Sequence, residues 1–188
     1  MLNKQRMTGF TLFELLIAMT IGAIIVVVGI PSFRGTLDNQ RMTSANNELV
    51  MSLNLAKSEA IKRVSYVSVC ATSDGESCDD DATGWDDGWI VFANATVANL
   101  DSIDGEDEVI RVYPALHDEL TITATGTIAG FISFRPSGTI GTSAANMTGT
   151  LTTCDERGAA NARGILLESS GQWHVSHDVA HDGAALTC

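Results

Sequence analysis

Gly9 and Glu14 are the two residues whose placement demands a chemical explanation. Gly9 closes a short basic leader carrying Lys4 and Arg6, and Phe10-Thr11-Leu12-Phe13-Glu14 then opens an apolar run that reaches Ile30. A small residue ending a basic leader suits peptide-bond cleavage. A secretory signal, however, places its cleavage site after the apolar stretch, and here the glycine precedes it. Cleavage at Gly9 would leave the apolar segment in the mature chain, with Phe10 as the new amino terminus. Glu14 is the second anomaly, because a carboxylate in a membrane helix is costly unless a partner satisfies it, and such a residue is a functional candidate by position.

Four cysteines, Cys70, Cys78, Cys154 and Cys188, supply a different chemistry. An even number in an exported chain reads as two disulfides formed in an oxidising compartment, for which three pairings are open. Pairing Cys70 with Cys78 and Cys154 with Cys188 is favoured, since each bridge would close one irregular segment. Zinc is the competing reading, but no Cys-x-x-Cys or adjacent Cys/His pair has metal spacing. The run Asp79-Asp80-Asp81-Ala82-Thr83-Gly84 mimics the opening of a calcium loop, yet its twelfth position is Ile90 rather than a bidentate Glu, which leaves a solvated charge cluster. His174, His177 and His181 would share a helical face, but their surroundings read as a strand end and a loose tail. No Ser, His and Asp set lies in a Gly-x-Ser-x-Gly context, so no catalytic case arises and no cofactor is expected.

These residues must be carried by three kinds of element. Residues 15–30 hold no charge and approach the ~20 apolar residues that span a bilayer. Pro31 and Gly35 then interrupt the pattern, and a proline there kinks or locally melts a helix. Beyond it, Met42, Ala45, Leu49, Leu53, Ala56, Ala60 and Val64 recur at spacings of three and four, the stripe of an amphipathic helix with one buried face. One long, kinked helix over residues 10–63 is the expectation. From residue 64 onward, β-rich runs alternate with glycine-rich turns, and strands are predicted at 64–70, 89–93, 109–113, 120–125, 131–134, 148–154, 164–168 and 173–176. The expected division is a leader at 1–9, a transmembrane and filament-core helix at 10–35, an amphipathic head helix at 36–63 and a β-rich head at 64–188.

Residues 9–18, Gly-Phe-Thr-Leu-Phe-Glu-Leu-Leu-Ile-Ala, resemble the class III signal of type IV pilins, in which a prepilin peptidase cuts after the glycine and the new terminal Phe is methylated. The resemblance implies that Gly9 and Phe10 flank the processed bond. It also implies that Glu14 meets the amino group of Phe10 in an adjacent protomer. The stretch 49–68, Gly88-Trp89-Ile90-Val91-Phe92, Phe134-Arg135-Pro136-Ser137-Gly138 and Cys154-Asp155-Glu156-Arg157-Gly158 are similar in order and spacing to the GspH/FimT family of minor pilins and minor pseudopilins. That family implies an α+β, type IV pilin-like fold: a long N-terminal helix packed on an antiparallel β-rich head. Implied partners are other major and minor pilins or pseudopilins, the prepilin peptidase and the inner membrane. The head would lie in the periplasm before it reaches the pilus and cell surface.

Charge bears on the remaining family role, DNA uptake. The 188 residues carry 23 acids and 11 bases, a formal −12, and loss of Lys4 and Arg6 leaves 9 bases and a net −14. Such a field repels phosphate backbones. The DNA-binding members carry a Gly-Arg-x-Arg motif, whereas the matching segment here, Gly171-Gln172-Trp173-His174, lacks both arginines. Arg135, Arg157 and Arg163 are the residues that could form a DNA-binding patch, although an Arg beside an acid such as Glu156 more often makes a structural ion pair. The expectation is a non-enzymatic structural minor pilin of a type IV pilus, with a type II secretion pseudopilin as first rival and a DNA receptor for transformation as second.

Overall fold

The computed structural model describes residues 9–79 and 84–188, without the side chains of 28–32. Lys4 and Arg6 of the leader, the side chain of Pro31 and the centre of the acidic run at 80–83 lie outside the described residues. The chain forms two compact units, one ending at Gln40 and the other Arg41–Cys188.

Helix α1 spans Leu12–Arg63. Glu14 in its first turn and Lys62 and Arg63 in its last place charges of the favourable sign at both ends of the helix dipole. The helix is continuous through Pro31 and Gly35, where an interruption is expected from the sequence. A proline deletes one i→i−4 bond at a cost of ~3 kcal/mol, and helical turns on both sides of it hold the backbone in register. In the first unit the large apolar side chains stand in solvent, from Phe10 at 83% exposure through Ile24 and Val27 to Phe33. Among the described residues, no helix is long and apolar enough to cross a membrane.

In the second unit the predicted stripe is the buried one: Met42, Ala45, Leu49, Leu53, Ala56 and Ala60 are all buried. Val64 departs from it. Its φ is +54° and its side chain is exposed, because it occupies the left-handed position that ends the helix. The Ser65 N–H donates back to the Ala60 carbonyl at 3.3 Å, closing a Schellman-type cap. The first strand therefore begins three residues later than the sequence suggests.

Strands β1 (Val67–Ala71), β2 (Gly88–Ala93), β3 (Glu108–Pro114) and β5 (Phe131–Phe134) form one antiparallel sheet in the order β3-β2-β1-β5. Strands β4 (Leu120–Gly126), β6 (Gly149–Asp155), β7 (Arg163–Leu167) and β8 (Trp173–Ser176) form a second, ordered β4-β6-β7-β8. The inward faces alternate as a pleat requires, with Val67, Val69 and Ala71 of β1 joining Trp89, Val91 and Ala93 of β2 against Leu53, Ala56 and Ala60. Leu151, Ile165 and Leu167 of the second sheet enter the same core. Both sheets are also covered on the outside. Cys70, Ile90 and Phe92 pack under Cys78 and Ile103, and Cys154 and Ala162 lie under Leu186 of the C-terminal tail.

Candidate functional site

The amino terminus is shaped by its own first turn. The Glu14 N–H donates to Thr11 Oγ1 at 3.2 Å, and the Thr11 N–H donates to Glu14 Oε2 at 3.5 Å. This is a reciprocal capping box, with Thr11 as N-cap and Glu14 at the third helical position. It satisfies two amide donors that a helix start leaves orphaned. Glu14 thus has a role within its own subunit that the reading of a membrane carboxylate overlooks, and the Ser/Thr-x-x-Glu spacing at Thr11 is the signal that encodes it. Phe10 stands exposed beside it.

Two disulfides staple the head. Cys70 joins Cys78 with Cα atoms 5.6 Å apart, and Cys154 joins Cys188 at 5.8 Å. The first closes a loop organised by Asp74, whose carboxylate accepts from the Glu76 N–H at 2.7 Å, the Ser77 N–H at 2.8 Å and Ser77 Oγ at 2.7 Å. Those donors hold the Asp74 carboxyl well below the usual carboxylate range. The second bridge ties the tail across the outer face of the second sheet. There the His181 N–H donates to Thr150 Oγ1 at 2.8 Å, and Leu186 lies over Gly164, where any side chain would collide with it.

The three arginines considered for DNA do not meet. Arg157 donates to Asp155, not to Glu156, with Nε at 2.9 Å and its own N–H at 2.9 Å. Burial pushes the Asp155 carboxyl up, but the hydrogen bonds and charge of Arg157 outweigh it and leave the group below its ordinary value. Arg163 donates to Thr43 Oγ1 at 2.7 Å. Arg135 is caged by neutral acceptors, the Thr142 and Ala145 carbonyls and Asn146 Oδ1 at 2.6–2.9 Å. Arg157 and Arg163 meet α1 at Met42 and Thr43, while the turn after Arg135 rests on Ile61 through Gly138. These points lie roughly 27 Å apart along the helix at 1.5 Å per residue.

The segment at Gly171 is a packing device. Its φ is +80°, a Cβ there would run into the Gly138 carbonyl, and its own carbonyl accepts from Lys57 Nζ at 2.7 Å. Lys57 also lies 5.4 Å over the Trp173 ring, which meets Phe134 edge-on. Of the histidines, His174 lies on β8, His177 follows it, and His181 Nδ1 lies 3.3 Å from Thr150 Oγ1. Among the described residues no group of His, Cys, Asp and Glu could hold a metal ion. The calcium reading of 79–84 falls largely outside the described residues.

Comparison with known proteins agrees with this anatomy. The model of a family described as Type II transport protein GspH matches residues 45–183, and that of the prokaryotic N-terminal methylation motif matches residues 4–30. No curated protein matches significantly. Two crystal forms of the type IV minor pilin FimU of Pseudomonas aeruginosa PAO1 share the fold. One has a TM-score of 0.55 at 18% identity over 74% of this chain and 90% of that one. The other has 0.52 at 19% identity over 71% and 91%. The α+β architecture is therefore that of a type IV pilin, and with the GspH model matching 45–183, most of the head, and the methylation motif covering the start of α1, this chain belongs to the GspH family of type IV pilin-like structural proteins, which are not enzymes.

Proposed function

We propose that this protein is a minor pilin, cut by a prepilin peptidase between Gly9 and Phe10, held in the inner membrane by residues 10–35 and then drawn into a type IV pilus. There it supports assembly or priming alongside other pilins. The observation that carries this reading is the coincidence, in one chain, of the methylation motif over residues 4–30 and a GspH head over 45–183. In this reading Glu14 exchanges its hydrogen bond from the Thr11 N–H for the Phe10 amine of an adjacent protomer, where two opposite charges leave water together. Deletion of the gene should abolish or thin surface pili while leaving type II secretion intact.

The description of the matching family, a type II transport protein, favours one alternative, a minor pseudopilin. Loss of exoprotein secretion with normal piliation in the same deletion strain would select it. A DNA receptor is disfavoured by the internal engagement of Arg135, Arg157 and Arg163 and by the acidic surplus of the mature chain.

A further inference from the structure

The C-terminal segment 177–188 lies on the outer face of the second sheet and is joined to it by the Cys154–Cys188 bridge. Beyond that bridge little fastens it. The His181 N–H donates to Thr150 Oγ1 at 2.8 Å, and the ring nitrogen Nδ1 meets the same hydroxyl at 3.3 Å. Leu186, with Ala180 beside it, supplies the apolar contact, on Ala162 and over Gly164. Among the described residues, the other hydrogen bonds of the segment close on itself, as from the Ala180 N–H to the Ala184 carbonyl at 2.8 Å, or reach only the Ser176 hydroxyl at the end of β8. Fixing a chain segment costs entropy at every residue, and two hydrogen bonds with one leucine do not offset that cost here. The bridge therefore decides whether the segment stays.

The sheet beneath does not depend on this cover. β6 lies between β4 and β7, and β7 between β6 and β8, while Leu151, Ile165 and Leu167 enter the core from their opposite face. Under the segment lie Thr150, Ala162 and Gly164, a hydroxyl that water can serve and small groups whose exposure costs little. The other bridge is placed differently. Cys70 sits on β1, in the middle of its sheet, packed with Ile90 and Phe92, and its partner Cys78 is half-buried, whereas Cys188 is exposed.

We propose that residues 177–188 form a redox latch: a dithiol opens Cys154–Cys188 ahead of Cys70–Cys78 and frees the segment while both sheets stay folded. One thiolate of the dithiol attacks the sulfur of the exposed Cys188, and the Cys154 thiolate leaves and takes up a proton. The second thiol then displaces Cys188 from the mixed disulfide as the dithiol closes on itself. Two electrons and two protons thus pass from the dithiol to the two cysteines. The latch rests on the packing of the head alone and is independent of the filament role.

The test is stepwise reduction of the processed full-length chain in detergent micelles with dithiothreitol, read by alkylation mapping of the cysteines and by amide hydrogen exchange. Cys154 and Cys188 should become alkylated roughly tenfold faster than Cys70 and Cys78. In the form with that bridge open, exchange at His181 and Leu186 should rise about tenfold or more, while exchange at Leu151 and Ile165 should change by less than about twofold. Reoxidation with oxidised glutathione should restore slow exchange at His181 and Leu186. Cys188→Ser should show the fast exchange at His181 without any reductant. Earlier opening of Cys70–Cys78, slow exchange at His181 and Leu186 with the bridge open, or acceleration at Leu151 and Ile165 that matches the segment would each overturn the proposal, the last by showing that the bridge holds the whole sheet.

Discussion

Glu14 closes the capping box with Thr11 and, in the proposed filament role, would also meet the Phe10 amine of a neighbour, and single substitutions separate the two. Thr11→Ala removes the N-cap and should cost about 1 kcal/mol of helix-start stability while filament incorporation persists. Glu14→Gln keeps the capping geometry, since Gln serves equally at that position, but removes the charge that would meet the Phe10 amine. If the charge is the assembly determinant, Glu14→Gln should lower the filament fraction as far as Glu14→Ala does, read by immunoblot of sheared filaments against the membrane pool. Val64 offers a second residue-scale prediction. A β-branched residue at φ +54° carries ~1–2 kcal/mol of strain, and its side chain is exposed, so Val64→Gly should raise the thermal midpoint of the head by a few degrees. Asp155 supplies a third. Its carboxyl is held below the unfolded value of about 3.9, so its contribution is fully present above about pH 4 and is lost as pH falls through the folded value. Asp155→Asn should flatten the acid limb of the stability curve below pH 4, measured by urea midpoints across pH, and leave its slope above pH 5 unchanged.

At the scale of elements, all eight predicted strands are present, because each is a run of β-branched or aromatic residues bounded by glycine or a polar turn. The pleat was not legible, because β1, β2, β6 and β7 are buried on both faces and show no apolar–polar alternation. The start of β1 was not: the helix stop at Val64 uses a left-handed residue where a glycine would have announced it. The capping box was legible in Thr11 and Glu14 but was obscured by the membrane context of the carboxylate. The partner of Arg157 was misjudged toward Glu156, since the backbone turn after β6 brings the Asp155 side chain, not its neighbour, under the guanidinium. The disulfides carry the element-scale prediction. Bridges separated by 8 and 34 residues should contribute about 2.5 and about 3.8 kcal/mol through loop closure in the unfolded chain. Cys154→Ser with Cys188→Ser should therefore lower the urea midpoint more than Cys70→Ser with Cys78→Ser. The larger loss should be accompanied by faster amide exchange across 177–188, where the tail covers β6 and β7.

For the whole molecule, 23 acids stand against 11 bases, and Arg135, Arg157 and Arg163 are each hydrogen-bonded within the chain. That net charge opposes a nucleic-acid receptor. In the proposed role the chain is processed at Gly9 and built into a filament through the helix that follows Phe10. Mass spectrometry of sheared, purified surface filaments tests it most directly. A mature chain that starts at N-methylated Phe10 is expected, at a small fraction of the major subunit, in the wild type and in Thr11→Ala but depleted in Glu14→Gln. A chain found only in the membrane pool with Met1 to Gly9 still attached, and absent from every filament preparation, would contradict it.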